Sequence, residues 1–138
     1  MADMYTPEKR SDIMSRIRSK ETKAEKTVFR YLREQKIYFQ KHYTRAPGKP
    51  DIALPRKKLA VFIDGDFWHG RTFDKVVLNH APDSYWVTKI TRNMERDYQQ
   101  RASLEAAGWK VLAVWDSDLN RKRTQTQELE RIADFLTS

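Results

Sequence analysis

The residues best suited to chemistry are two aspartates and a histidine, Asp51, Asp64 and His69, which fall within one short stretch of the chain. Two neighbouring carboxylates can hold one hard cation such as Mg²⁺, because oxygen ligands suit that ion and the ion relieves their mutual repulsion. The histidine offers a base that titrates near neutral pH. These three residues therefore indicate a metal site with a base beside it. The alternative is that the aspartates merely flank turns, where Asp is common, and that the histidine belongs to the core.

Two large aromatic residues, Phe67 and Trp68, lie between the second aspartate and the histidine, with Gly65 and Gly70 on either side. A loop flanked by glycines does not readily bury two such side chains completely. Exposed rings stack on nucleic-acid bases, which is worth about 1–3 kcal/mol per base. The loop therefore predicts contact with bases, and a lid over the core is the alternative.

A predicted β-hairpin with strands DIAL and LAVFI positions these residues. Pairing Leu54 with Leu59 places Asp51 and Asp64 on one face as diagonal neighbours, roughly 7–8 Å apart at Cα. Because side chains alternate along a strand, the acidic face also carries Ala53, Ala60 and Phe62. The opposite face is entirely apolar and consists of Ile52, Leu54, Leu59, Val61 and Ile63.

A helix predicted at residues 22–35 brings a further carboxylate, Glu25, onto its buried side. Burying a carboxylate is costly unless it is paired or near a metal. We expect this helix to approach the acidic face of the hairpin, where the small side chains of Ala53 and Ala60 leave room. Glu25 is therefore a candidate site residue, with capping of the helix start at Thr22 as the alternative.

The remaining pattern predicts a single α/β domain in which a small mixed β-sheet is flanked by helices. Besides the hairpin and the helix at 22–35, we expect a helix at 7–18, an edge strand at 37–42, a loop at 71–83, a long helix from 83 or 84 to 107, a strand at 109–115 and a last helix at about 126–136. The near-continuous apolar run WKVLAVW favours an interior position in the sheet for the strand at 109–115.

The composition indicates a nucleic-acid partner. The 138 residues include 27 Lys and Arg against 19 Asp and Glu, a formal net charge of +8, and 12% are aromatic. This balance favours binding to a polyanion over a disordered basic tail. The absence of cysteine excludes disulfides and thiolate metal sites. No apolar run approaches the roughly 20 residues of a membrane span and no signal-like segment is present, so we expect a cytoplasmic protein without a membrane partner.

An N-terminal basic segment, residues 1–20, is predicted to contact DNA, whereas residues 21–138 form the expected catalytic core. Its helix at 7–18 carries Met14 on an apolar stripe and Arg16 among the surrounding basic residues. These basic residues either contact DNA phosphates or form a helix face that is exposed to solvent.

The long helix adds further candidate DNA contacts. Lys89 lies on one polar flank, and Arg92 and Arg96 form a pair on another. Trp86, near the helix start, can join Phe67 beside the loop or pack in the core.

Over almost its full length the sequence resembles the very-short-patch-repair (Vsr-type) DNA mismatch endonucleases, a branch of the PD-(D/E)xK, restriction-endonuclease-like nuclease fold. The segments that carry the resemblance are MSRIRSKETKAEK from Met14, PGKPDIAL from Pro47, VFIDGDFWHG from Val61, WVTKITRNMERD from Trp86 and GWKVLAVWDSDL from Gly108. Their combination is specific, whereas PD followed by a strand is weak alone. The resemblance implies a Mg²⁺-dependent enzyme that nicks one strand of double-stranded DNA 5′ of the thymine in a T·G mismatch.

The resemblance also implies roles for individual residues. Asp51 is the expected metal-binding carboxylate, with the backbone carbonyl of Ile63 completing the shell. Glu25 is expected to act through metal-bound water, and His69 to be the general base. The helix of Met14 is expected to reach DNA from the other groove. The side chains expected to wedge into the base stack beside the mismatch are Phe67, Trp68 and Trp86.

Two departures from the family pattern alter these expectations. Position 64 is histidine in the family pattern but Asp64 here, and we expect this second carboxylate to bind or orient metal and water directly. The family often holds a structural zinc through Cys and His at positions occupied here by Asp66, Arg71, Phe73 and Ser117. We therefore expect no structural zinc, with an Asp66–Arg71 ion pair and packing of Phe73 replacing it.

The residues also leave other functions open. One is a related nuclease with another target, such as a restriction-like or general lesion endonuclease. Another is a DNA-binding protein whose catalytic site has decayed, since the family's histidine and zinc ligands are replaced. For the mismatch enzyme we expect a monomer that acts on nucleoid DNA and contacts other mismatch-repair proteins.

Overall fold

A four-stranded mixed β-sheet organises the part of the chain that the computed structural model describes, residues 21–138. Its strands, in spatial order, are β1 (Gln40–Lys41), β2 (Ile52–Leu54), β3 (Leu59–Asp64) and β4 (Lys110–Trp115). The first three strands pair antiparallel, whereas β3 and β4 are parallel. The flanking helices are α1 (Lys23–Glu34), α2 (Phe73–Asn79), α3 (Tyr85–Ala106), α4 (Asp116–Asn120) and α5 (Lys122–Thr137). The predicted α/β domain with a small mixed sheet flanked by helices is confirmed.

The hairpin of β2 and β3 has the predicted register. Ala53 lies opposite Ala60, and Leu54 lies opposite Leu59. The apolar face packs against α1, α4 and α5 to form the main core, which includes Phe29, Leu119 and Ile132. The face of Ala60 forms a smaller core, in which Ala60 packs with Ala46, Phe62 and Leu104. The alternation of side chains therefore sorts the hairpin between two layers, as the sequence predicts.

We expected helix α1 to approach the acidic face of the hairpin at Ala53 and Ala60, but it packs on the apolar face, although Glu25 at its start lies near Asp51. Its apolar stripe, with Val28 and Phe29, belongs to the main core. The acidic face is covered instead by α3, whose Leu104 packs on Ala60 and Phe62. The amide of Glu25 donates a hydrogen bond to the Thr22 hydroxyl at 3.1 Å, so the predicted cap of the helix start is present.

Several other boundaries differ from the prediction. The segment 71–83 is not all loop, because it contains α2, a short helix with only Val76 buried and no side-chain cap. The strand expected at 37–42 pairs only over Gln40–Lys41. The strand β4 lies at the edge of the sheet, not in its interior. Its apolar residues are explained by the two cores above and below it, since Val114 belongs to one and Val111 packs on the other.

The long helix α3 is confirmed, with Ser84 accepting a hydrogen bond from the Val87 amide at its start. Gly108 follows its end with φ of +90°, a left-handed conformation that glycine adopts without strain. None of the helices within residues 21–138 has the length and apolar character needed to cross a bilayer. The predicted helix at 7–18, with Met14 and Arg16, lies outside the described residues.

Candidate active site

A cluster of three side chains that suit a metal ion lies at the open end of the hairpin. It consists of Glu25 from α1, His42 from the segment after β1, and Asp51 just before β2, and one ligand atom of each lies within 4.8 Å of the others. The carboxylate of Asp51 accepts a hydrogen bond from the Ile63 amide at 2.7 Å. The amide of His42 donates to the Asp51 carbonyl at 2.9 Å, which holds the two residues side by side. We call Glu25, His42 and Asp51 the carboxylate–histidine cluster.

The electrostatics of this cluster suit a divalent cation. Burial, together with the nearby charges of Glu25 and Asp64, raises the pKa of Asp51 to about 7, although the Ile63 amide opposes the shift. Burial likewise raises the pKa of Glu25, which His42 opposes. The Oε2 atom of Glu25 is buried and has no hydrogen-bond partner among residues 21–138. Two buried carboxylates, one of which has an oxygen without a hydrogen-bond partner, match the oxygen ligands that Mg²⁺ binds.

Asp64, which we expected to bind or orient metal and water, is paired with an arginine in the structure, and its role at a metal stays a prediction. Its carboxylate is buried, and both of its oxygens accept hydrogen bonds from Arg101 Nη2 at 2.7 and 2.8 Å. The Arg101 guanidinium also lies over the Phe62 ring, 4.5 Å from its centre, which helps to fix it. Asp64 is therefore neutralised by α3 and does not join the carboxylate–histidine cluster. The backbone carbonyl of Ile63 stays a predicted ligand.

His69 is held next to Asp64 by a second carboxylate from α3. Its Nδ1 atom is hydrogen-bonded to Asp97 Oδ2 and lies 3.8 Å from Asp64 Oδ1. Burial lowers the pKa of His69, but the bond to Asp97 and the charges of Asp64 and Asp97 outweigh it, so the pKa is raised. Because Nδ1 is engaged, Nε2 is the nitrogen available to act as a base. A cleft of about 470 Å³ between α3 and β4 is lined in part by His69, Asp64, Asp97 and Arg101.

The loop that carries His69 is closely fitted to α3. The His69 amide donates to the Gly65 carbonyl at 3.1 Å, which closes a tight turn. Gly70 has φ of +87°, and a Cβ atom there would clash with the Met94 side chain of α3. Glycine is favoured at this position, because the backbone is left-handed and the Met94 side chain of α3 would have to move to admit a Cβ atom. The turn and the close approach together direct the imidazole toward Asp97.

The aromatic side chains of this loop meet the start of α3. Phe67 and Trp68 are 4.9 Å apart between ring centres, and Trp86 lies 5.4 Å from Phe67 and 5.5 Å from Trp68. We call Phe67, Trp68 and Trp86 the aromatic cluster. Phe67 is exposed, so the cluster is accessible at the surface. Buried Asn93 donates a hydrogen bond to the Trp68 carbonyl at 2.9 Å and so fastens the loop to α3.

Comparisons with known proteins agree with this geometry. A family model described as DNA mismatch endonuclease Vsr matches residues 2–75. The chain is 40% identical over 132 residues to the type II nicking enzyme V.NmeAIP of Neisseria meningitidis serogroup A, covering 96% of this chain and 94% of the relative. It is 37% identical to V.XorIIP of Xanthomonas oryzae, covering 97% and 98% of the two chains. It is 30% identical over 138 residues to the DNA mismatch endonuclease Vsr of Escherichia coli K12, covering 99% and 88%.

This chain belongs to the Vsr family. It is therefore a DNA endonuclease, and DNA is its substrate. The resemblance predicted from the sequence is confirmed, whereas the catalytic roles of individual residues stay predictions.

Of the four positions at which the resemblance implied replaced zinc ligands, three, Asp66, Arg71 and Ser117, form a polar network here. Ser117 Oγ donates to Asp66 at 2.7 Å and accepts from Arg71 at 3.1 Å. The predicted Asp66–Arg71 ion pair is present at 3.9 Å, although Arg71 lies closer to Asp118, at 3.0 Å. Phe73 begins α2. Hydrogen bonds and ion pairs therefore join the loop to α4 at these positions.

The predicted DNA contacts on α3 occupy different settings. Arg92 is exposed, and Lys89 is partly buried. Arg96 is exposed but donates a hydrogen bond to Asn93 at 2.8 Å, so it supports the residue that fastens the aromatic loop. DNA binding by these three basic residues stays a prediction. Met14 and Arg16 lie outside the described residues.

The sequence analysis missed three residues of the site, His42, Asp97 and Arg101. Asn93, Asp97 and Arg101 recur every four residues, and this spacing places them on one side of α3. That side was predicted only as a polar flank with Lys89 as a candidate DNA contact, yet it also faces Asp64 and the loop that carries His69. His42 gave no signal, because its place depends on the pairing of β1 with β2.

Proposed function

We propose that this Vsr-family protein is a Mg²⁺-dependent endonuclease that nicks one strand of double-stranded DNA 5′ of the thymine in a T·G mismatch. The observation that carries the proposal is the His69 imidazole, bonded through Nδ1 to Asp97 and lining a cleft beside the carboxylates of the site. The charge of His69 acts on Asp51 of the candidate cation site, and a base held in one tautomer near a cation suits phosphodiester hydrolysis.

His69 is the proposed general base, and Asp97 is its positioning residue. With Nδ1 bonded to Asp97, the Nε2 lone pair takes the proton of the attacking water. Asp97 then stabilises the imidazolium cation that forms, just as it raises the pKa of His69 in the free protein. The role of Asp97 is therefore to fix the ring and to support its positive charge.

Asp51 and Glu25 are the proposed holders of the cation. Their raised pKa values and the unsatisfied Oε2 of Glu25 are the features that a bound cation would relieve. When bound, Mg²⁺ would supply charge that stabilises the phosphate as negative charge develops on it and would help to ionise water. Arg101 cancels the charge of Asp64, so a phosphate can approach without meeting an uncompensated carboxylate there.

The aromatic cluster is the proposed source of mismatch preference. Inserting Phe67, Trp68 and Trp86 beside a base pair costs a few kcal/mol of unstacking, and the cost is least at a mispair. Mismatch discrimination then needs no base-specific hydrogen bond. The name of the E. coli relative, a mismatch endonuclease, supports this preference, and the relatives named nicking enzymes support cleavage of one strand.

The test is a set of end-labelled duplexes that are identical except at one base pair. Each set contains T·G, T·A, C·G and A·G at that position, and the sets differ from one another in their randomised flanks. Either strand is labelled, and each reaction contains Mg²⁺ or EDTA. We expect one cut, 5′ of the mispaired thymine, only in the T·G duplex and only with Mg²⁺. The His69→Gln protein should still bind the duplex but lose most cleavage, by roughly 10²–10⁴-fold.

Other outcomes would exclude the proposal. Equal cutting of T·A and T·G duplexes would favour a restriction-like or general lesion endonuclease. Tight binding of mismatched DNA with no cleavage in any flank would favour a protein that binds DNA without cutting it.

A further inference from the structure

We propose that His42 is a direct ligand of the divalent cation, which makes the site more selective for Mn²⁺ over Mg²⁺ than carboxylates alone would. This inference rests on the proposed metal-dependent function and adds a nitrogen ligand to it. His42 carries no role in the family resemblance, and its sequence position gives no hint of one. Its imidazole reaches the two carboxylates only because β1 pairs with β2.

The distances suit ligands of one ion better than they suit a hydrogen bond. His42 Nε2 lies 3.7 Å from Glu25 Oε2, which is beyond the range of an N–H···O bond. Ligand atoms about 2.1 Å from one ion lie about 3.0 Å apart when adjacent and about 4.2 Å apart when opposite. The separation of 3.7 Å falls between these values. The span of 4.8 Å over the whole cluster needs only a small inward movement.

Glu25 supplies independent evidence that something binds between these residues. The residue is 8% exposed, and its Oε2 atom has no hydrogen-bond partner within residues 21–138. This is the oxygen that lies 3.7 Å from His42 Nε2. Leaving a buried carboxylate oxygen unsatisfied is costly, and a cation between Oε2 and Nε2 would remove that cost. The cation can enter from solvent because the His42 side chain is 45% exposed.

The imidazole of His42 is already held in place for this role. The ring packs edge-on against Phe29, 5.7 Å between centres. The backbone amide of His42 donates to the Asp51 carbonyl at 2.9 Å. The backbone of His42 has φ of +51°, a left-handed conformation that residues other than glycine rarely adopt. Packing therefore restrains the ring and pairing restrains the backbone, so little conformational freedom is lost when a cation binds.

A competing explanation is that protonated His42 simply forms ion pairs with acidic residues. His42 Nε2 also lies 3.8 Å from Glu21 Oε2. That oxygen, however, accepts a 2.6 Å hydrogen bond from Lys41, so Glu21 already has a closer cationic partner. Under the ion-pair explanation a cation would compete with His42, whereas under direct ligation it would bind to the imidazole nitrogen.

The choice of cation separates the two explanations. Mn²⁺ also favours oxygen ligands, but as a transition metal it accepts an imidazole nitrogen more readily than Mg²⁺, which prefers oxygen and retains water. Loss of a nitrogen ligand should therefore weaken Mn²⁺ binding more than Mg²⁺ binding. We expect His42→Gln to weaken Mn²⁺ binding about tenfold or more, with a smaller change for Mg²⁺.

The experiment is pulsed electron paramagnetic resonance of Mn²⁺ bound to the full-length protein without DNA. Wild type should show electron spin-echo modulation from a directly bound imidazole nitrogen, and the pattern should change when the histidines carry ¹⁵N. His42→Gln should abolish this signal, and His69→Gln should retain it. His80→Gln is the matched control, because His80 Nδ1 lies 3.0 Å from the Val76 carbonyl in α2, outside the cluster. Circular dichroism confirms that each variant is folded.

The outcomes distinguish this inference from the proposed function. Mn²⁺ bound without a nitrogen signal, or with a signal lost only in His69→Gln, overturns the role of His42 and leaves a metal-dependent endonuclease intact. Failure of wild type to bind Mn²⁺ at millimolar concentration overturns both the metal centre and the role of His42.

Discussion

Replacing Asp51 with Asn should stabilise the metal-free protein at pH 8, although it removes a proposed metal ligand. The pKa of Asp51 is about 7 in the folded protein, against 3.8 for an exposed aspartate. The difference of about 3 units, at 1.36 kcal/mol each, sets a ceiling of about 4 kcal/mol on the cost of ionising Asp51 in the fold. Asn keeps an oxygen to accept the Ile63 amide, so we expect about 2–4 kcal/mol of added stability.

The pH dependence of this gain follows from the direction of the shift. A carboxyl group whose pKa is raised by folding costs nothing below its unfolded pKa, where it is protonated in both states. The cost grows between about pH 4 and pH 7 and is complete above the folded pKa. The stability difference between Asp51→Asn and wild type should therefore be near zero at pH 4 and largest at pH 8.

Urea unfolding in EDTA, followed by circular dichroism at several pH values, measures this difference. Asp134→Asn is the control, because that carboxylate is exposed on α5 and its loss should change stability by less than about 0.5 kcal/mol. Adding Mn²⁺ should stabilise wild type and not Asp51→Asn, since only wild type keeps the site. If Asp51→Asn is no more stable than wild type at pH 8, the claim that Asp51 is a costly buried anion is refuted.

Three further changes test other parts of the site. Asp97→Asn should lower the nicking rate roughly 10²-fold. It should also move the acid limb of the pH–rate profile to lower pH, because His69 loses the bond that raises its pKa. An unmoved acid limb would contradict the role of Asp97 in raising that pKa. Arg101→Leu should lower the free energy of unfolding in urea by about 3–5 kcal/mol, because it removes the Arg101 partner of buried Asp64. Adding Asp64→Asn should recover most of this stability, and no recovery would indicate that lost packing is the cause. Trp68→Ala should weaken binding of T·G duplex by about 1–3 kcal/mol in fluorescence anisotropy and leave T·A duplex unchanged; equal losses would exclude a mismatch-specific wedge.

The central hairpin was predictable because its side chains alternate strictly. The pairing of Leu54 with Leu59 and the division of the hairpin between two cores follow from that alternation. The position of β4 was not predictable in the same way. An apolar strand can be buried by two neighbouring strands or by layers above and below, and the sequence does not separate these cases. The short helix α2 was missed because it has a single buried residue and no capping side chain.

The candidate site was predictable where its residues are close in sequence. Asp51, Asp64 and His69 were singled out by spacing within one hairpin and its following loop. The partners of His69 and Asp64, which are Asp97 and Arg101, come from α3, and only the packing of that helix determines which residue of the site each one meets. The closeness of Asp51 and Asp64 on the hairpin predicted that they share a cation. In the structure, the Asp64 carboxylate accepts hydrogen bonds from Arg101.

Charge balance favours our proposal that the cation binds at Asp51 and Glu25 rather than at Asp64. The DNA phosphate is an anion, so each buried carboxylate near it needs a positive partner. Arg101 is the positive partner of Asp64. When the imidazole of His69 is protonated, it is the positive partner of Asp97. Asp51 and Glu25 both have raised pKa values, which the nearby imidazoles offset only in part, His69 for Asp51 and the half-exposed His42 for Glu25. A divalent cation placed between them completes the balance, and Arg101 makes an aspartate at position 64 compatible with it.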